Sequence, residues 1–128
     1  MDLSIKKLSS LLGPKGWIDS KNSKYWQRDW LDLRGEIPIG VALPKTSNEV
    51  SEILKLCQSE NIKVVPQGGN TGLVGGGVLG EPGGLIISLS RMNSITAIDI
   101  YSGTISVESG LILENLHQSL ENTELIFP

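Results

Sequence analysis

Cysteine is almost missing from this chain. Cys57 stands alone among 128 residues, which excludes an internal disulfide and a multi-cysteine zinc site and is compatible with a cytoplasmic protein. Histidine is equally scarce: His117 is the sole one, and it reads as a satisfied or solvated surface residue rather than a catalytic group. No run of about 18 apolar residues occurs, so no segment is expected to span a membrane. The opening stretch MDLSIKKLSSLLGPKGW lacks a long apolar region because Lys6 and Lys7 interrupt it; a short amphipathic helix is expected there, not a signal peptide. Positive charge is not in excess either. With 11 Lys and Arg against 14 Asp and Glu, the net charge is −3, which removes the bulk electrostatic case for nucleic acid or an anionic membrane as partner. Beyond Lys63 there is no lysine at all.

What is present is a globular composition, 39% hydrophobic and 20% charged, enough for one modest core. Leu3, Leu8, Leu11 and Leu12 predict a helix over residues 3–12, ended by Gly13-Pro14. Residues 17–35 hold Trp17, Trp26 and Trp30 among charges and are expected to form an irregular segment packed on the domain. Ile37 to Leu43 reads as a short strand stopped by Pro44. Thr46-Ser-Asn-Glu49 has capping-box spacing, and Val50, Ile53, Leu54 and Cys57 make one apolar helical face running to about Glu60. Ile62 to Pro66 is a strand, so strand, helix and strand follow at the spacing of a parallel βαβ unit. Leu85 to Leu89 reads as a buried strand. Residues 95–100 and 104–109 flank Tyr101-Ser-Gly103 as a hairpin. Leu111 to Glu121 is the last helix, with Leu113, Leu116 and Leu120 inward. A final strand is expected over Glu124 to Phe127, and this apolar end suggests a piece of something longer.

The feature with chemical content is VPQGGNTGLVGGGVLG, residues 65–80, in which seven of sixteen residues are glycine and none is basic. Glycine lets a ligand approach the main chain, and successive N–H groups in such a turn can form a concave anion site without any cationic side chain. The bland alternative is a flexible surface loop; the framing residues Leu73, Val74, Val78 and Leu79 argue against a linker. A Walker loop requires GxxxxGK[ST], which this stretch does not contain. Gly75, Gly77 and Gly80 match GxGxxG, with Asp99 nineteen residues further on. That motif needs a helix opening from the loop, and Glu81-Pro-Gly-Gly84 would break one.

The run Val64-Val-Pro-Gln-Gly-Gly-Asn-Thr-Gly-Leu-Val-Gly-Gly76 closely resembles the phosphate-binding loop of FAD-linked oxidases of the vanillyl-alcohol-oxidase type. The similarity is greatest to the branch with D-2-hydroxyglutarate dehydrogenase, D-lactate dehydrogenase and the glycolate oxidase flavin subunit. Val41-Ala-Leu-Pro-Lys-Thr46, Leu89-Ser-Arg-Met-Asn93 and Val107-Glu-Ser-Gly110 support it, and the likeness covers roughly residues 25–128. The resemblance implies an α+β fold: the N-terminal part of a two-lobed FAD-binding PCMH-type domain, with a small α/β lobe of parallel strands and the start of a second, mixed-sheet lobe. Residues 1–24 would be an N-terminal helix and extension, and residues 25–128 the FAD-binding domain, truncated at its C-terminal side.

By that resemblance, FAD would lie between the lobes. Main-chain N–H groups from Gln67 through Leu73 would hold its pyrophosphate, so the candidate cofactor residues are Pro66, Gln67, Gly68, Gly69, Asn70, Thr71, Gly72 and Leu73. Pro44 and Gly110 are added near the adenosine portion. Asn70 and Thr71 can hydrogen-bond either the phosphate or the loop itself. Relatives that attach FAD covalently have a histidine near the end of this loop, where this chain has Asn70, so non-covalent FAD is expected. Arg91 is read either as approaching the cofactor or, preferably, as part of a surface ion pair, and Asp29 either near the domain's mouth or simply packed. The implied activity is oxidation of a small D-2-hydroxy acid to the 2-keto acid, with the substrate and an electron acceptor as partners and the catalytic residues beyond residue 128. The alternatives are a stand-alone nucleotide-binding or interaction module, and a flavin transferase like alkyl-glycerone-phosphate synthase.

Overall fold

The computed structural model describes residues 2–128. Helix α1 (Asp2–Leu12) leads into strand β1 (Trp17–Asp19), two short 3-10 turns at Ser20–Asn22 and Lys24–Gln27, and strand β2 (Gly40–Ala42). Helix α2 (Ser47–Ser59), β3 (Val64–Gln67) and β4 (Leu85–Ser88) complete a four-stranded sheet of order β1-β2-β4-β3. β2, β4 and β3 run parallel and β1 is antiparallel at one edge. A separate hairpin, β5 (Ile95–Asp99) and β6 (Thr104–Val107), precedes α3 (Leu113–Leu120).

The capping box forms as its spacing requires, with one shift. Thr46 Oγ1 accepts from the Glu49 N–H at 3.2 Å, while the Glu49 carboxylate reaches back to the N–H of Lys45. The first satisfies a donor that the opening turn of α2 leaves free, and the second pairs the N–H just before the cap. Ile53 and Cys57 are then buried, whereas Leu54 stays partly open at the edge of the same face. Burial pushes the Cys57 thiol up.

Strand parity decides which side chains meet. Alternate residues of a strand point to opposite faces, so Ala42, Leu85 and Ile87 join Leu8, Leu12, Trp17, Ile53 and Cys57 under the helices. Val41, Leu43 and Ile86 face the other way, against Leu79, with Ile18, Trp26 and Val65 around them. Each fully buried Leu or Ile contributes about 1.5–3 kcal/mol. Gln67 and Ser88 are two residues on from Val65 and Ile86 and share that second face, at the carboxyl ends of β3 and β4.

Four local expectations need correction. Residues 17–35 are not wholly irregular: Trp17 opens β1 and is buried, Trp26 is half-buried, and Trp30 is exposed. Leu113 is 52% exposed, so α3 buries only Leu116 and Leu120. There is no strand over residues 124–127; the Thr123 hydroxyl donates to the Leu120 carbonyl and accepts from the Leu125 N–H, turning the chain after α3. Arg91 makes no ion pair among the described residues; its Nη1 donates to the Leu43 carbonyl at 2.9 Å.

Candidate functional site

The glycine loop leaves β3 after Gln67 and returns to β4 at Leu85, so it stands at the carboxyl end of the parallel strands, where open α/β sheets receive ligands. Gln67 is still in β3 and is 3% exposed. Its Nε2 donates to the carbonyls of Trp26 (3.2 Å) and Gly77 (2.8 Å), tying the start of the loop to its far limb and to the preceding segment. Asn70 has a left-handed backbone, φ 56°, and its Nδ2 donates to the Arg28 carbonyl. Of the two uses open to Asn70, bracing is the one observed. The Thr71 side chain is exposed.

Pro66 through Gly72, with Val74, Gly76 and Gly77, line a concavity of about 290 Å³. Gln67, Gly68, Gly69 and Asn70 also face a second cavity of about 200 Å³ with Tyr25, Trp26, Ser88, Ser90, Asn93, Gly110, Ile112 and Asn115. No residue lining either cavity carries a charge. Among the described residues, no protein group accepts a hydrogen bond from the main-chain N–H groups of Gly68 through Gly77. A Cβ on Gly68, Gly69, Gly72 or Gly76 would meet nothing within 4 Å. A row of free donors beside open space, with no carboxylate to repel an anion, fits the diphosphate of FAD.

Gly110 is thus brought to the loop. Pro44 is fully buried and lines neither cavity, and Leu73 is 60% exposed at the loop's tip, also outside both. Of the positive-φ positions, Asn70, Gly75 and Gly83 lie in the loop, so Gly69 is not required by backbone strain. Of the second cavity's lining, sequence reasoning missed Tyr25, Trp26, Ser88, Ser90, Asn93, Ile112 and Asn115. Ser90 and Asn93 stood inside the Leu89–Asn93 stretch already noted; the aromatic pair, edge-on at 5.1 Å between centroids, gave no local signal. No group of His, Cys, Asp and Glu among the described residues is placed to hold a metal ion, and none of their helices is long and apolar enough to cross a membrane.

The fold is the α+β one of PCMH-type FAD-binding domains. Its solved neighbours include alkyldihydroxyacetonephosphate synthase (TM-score 0.82, 22% identity, 94% of this chain, 26% of that chain) and substrate-bound p-cresol methylhydroxylase (0.78, 20%, 97% and 25%). The family model described as FAD binding domain matches residues 38–128, and the chain belongs to that family. It is similar to a putative mitochondrial D-lactate dehydrogenase of Schizosaccharomyces pombe, 45% identical over 103 residues, covering 78% of this chain and 19% of the relative. It is also similar to the mitochondrial D-2-hydroxyglutarate dehydrogenases of Danio rerio (44%; 78% and 19%) and Arabidopsis thaliana (38%; 97% and 22%). The chain spans about a fifth of the length of these relatives.

Proposed function

We propose that this chain is the FAD-binding part of a dehydrogenase that oxidises a small D-2-hydroxy acid to its 2-keto acid. The observation that carries the reading is the cradle of unpaired N–H groups from Gly68 to Gly77, in a chain 45% identical to a relative named for D-lactate. In this reading the amides of Gly68 through Gly72 bind the pyrophosphate, and Gln67 and Asn70 keep the loop in shape. The second cavity, walled by Tyr25, Trp26 and Gly110, takes an adjoining part of the cofactor. Bound FAD supplies the acceptor for the hydride that leaves the substrate's α-carbon. Attachment is non-covalent, because the amide of Asn70 cannot take the place of a flavin-linked histidine. Substrate binding and proton abstraction belong to residues outside this chain, and a separate acceptor reoxidises the flavin. The alkyl-transfer alternative has only a fold-level likeness at 22% identity behind it.

Titration of the purified chain with FAD and with ADP, followed calorimetrically, tests the assignment. Clear preference for FAD is expected; equal affinity favours a nucleotide-binding module without redox chemistry. A cytoplasmic location is part of the proposal, and fractionation of cells expressing the tagged protein decides it against the mitochondrial compartment named for the relatives.

A further inference from the structure

Asp29 is 9% exposed, and its Oδ2 is buried without a hydrogen-bond partner. Its Oδ1 accepts from the N–H groups of Leu31 and Leu33, both at 2.9 Å. Around it the chain closes a small hairpin: Asp29 N donates to Leu33 O, Asp32 N to Asp29 O, and Gly35 N to Gln27 O, with Arg28 bridged to Arg34. Asp32 takes a left-handed φ of 63° at the bend.

This hairpin touches the glycine loop at several separate places. The Trp26 and Arg28 carbonyls hold the Gln67 and Asn70 side chains. A Cβ on Gly75 would come within 2.8 Å of Leu33 Cδ2, and Glu36 N donates to the Leu79 carbonyl. The loop has almost no internal main-chain bonds of its own, Val78 N to Gly75 O at 3.4 Å being the exception. Its shape is therefore imposed from outside.

We propose that Asp29 is a positioning residue for the pyrophosphate loop: by gathering the Leu31 and Leu33 amides it fixes the turn that presents the Trp26 and Arg28 carbonyls to Gln67 and Asn70. Asp29 touches no ligand itself. A buried carboxylate with one oxygen unpartnered costs stability at its position, and the geometry it imposes on a ligand loop is the compensating role. The inference rests on the loop being the pyrophosphate site.

The test uses the whole chain, labelled with ¹⁵N, and its Asp29→Asn and Asp29→Ala variants. The ligand-free readout is the side-chain amide resonances of Gln67 and Asn70. Asp29→Ala should move both to solvent-exposed positions, while the main-chain amides of Ile86 and Ile87 stay in place. Asp29→Asn keeps an oxygen for the two amides and should restore the wild-type signature. ADP affinity should fall about tenfold in Asp29→Ala and recover in Asp29→Asn. An unchanged Gln67 and Asn70 signature in Asp29→Ala overturns the proposal. So does a loss that takes Ile86 and Ile87 with it, or an Asn variant as defective as Ala. A wild-type chain that shows the amide signature but binds neither ADP nor FAD sinks the flavin reading instead.

Discussion

At Gly110 a Cβ would lie 1.7 Å from the Leu89 carbonyl oxygen and 2.9 Å from that of Met92, main chain against main chain, so neither neighbour can swing aside. Gly110→Ala should therefore cost at least about 2 kcal/mol of stability, read as a lowered melting temperature or denaturant midpoint. Gly69 is glycine for a different reason. Its φ is ordinary and a Cβ there meets open space, so Gly69→Val should leave the melting temperature nearly unchanged. Gly69 lines the concavity, so a valine there takes up room that a bound phosphate would need, and ADP and FAD affinity should drop by about tenfold or more in calorimetric titration. A normal affinity in that variant would show that the phosphate lies elsewhere. The two glycines are indistinguishable in the sequence, because one is set by the main chain of Leu89 and Met92 and the other faces open space. Asn70 was legible as a polar residue in a tight loop; that its partner would be the Arg28 carbonyl was not, since the contact spans 42 positions.

Among the elements, those with a repeating local signal were readable. α2 had both its cap and its apolar period, and β4 had four consecutive residues that the structure buries. β1 was missed because three residues are too few for any period, and its pairing with β2 comes from the whole chain. The strand expected over residues 124–127 rested on apolar character alone, which does not supply a neighbour to pair with. The β5–β6 hairpin carries a pH prediction. Ser102, through its hydroxyl and its main-chain N–H, holds the Asp99 carboxylate below the usual aspartate range against desolvation, with a weaker contribution from the Tyr101 N–H. A lowered folded-state value means that the contribution to stability is present above the unfolded value and is lost as pH falls through the folded one. The amide signals of Tyr101 and Ser102 should thus hold steady through neutral pH and move only in acid below the ordinary aspartate titration. Movement at the ordinary aspartate value would show that the turn does not favour the ionised form.

For the molecule as a whole, the parity of β3 and β4 divides the chain into a dry face under α1 and α2 and a polar end facing the glycine loop. The dry face was foreseeable from alternating and helical periods. The second cavity was so only in part: Gln67 to Asn70 and Gly110 stood out in the sequence, whereas Tyr25, Ser88 and Asn115, which complete it, carry no local signal. The absence of a flavin-linking histidine at Asn70 makes a prediction at this scale. When the FAD-loaded protein is precipitated with acid, the yellow colour should remain in the supernatant and the pellet should be colourless. A yellow pellet after washing would establish a covalent bond to some other residue.

β3 is an edge strand. The carbonyls of Lys63 and Gln67 accept from Leu85 and Leu89 on the β4 side, so Val64 and Pro66 turn their main chain outward, toward the open side of the sheet. Pro66 has no N–H to offer there, and the opposite edge, β1, is only three residues long. A second molecule that tried to extend the sheet would find one edge too short and the other lacking a donor midway. The proline that introduces the glycine loop thereby also denies this four-stranded sheet a continuous edge for strand addition.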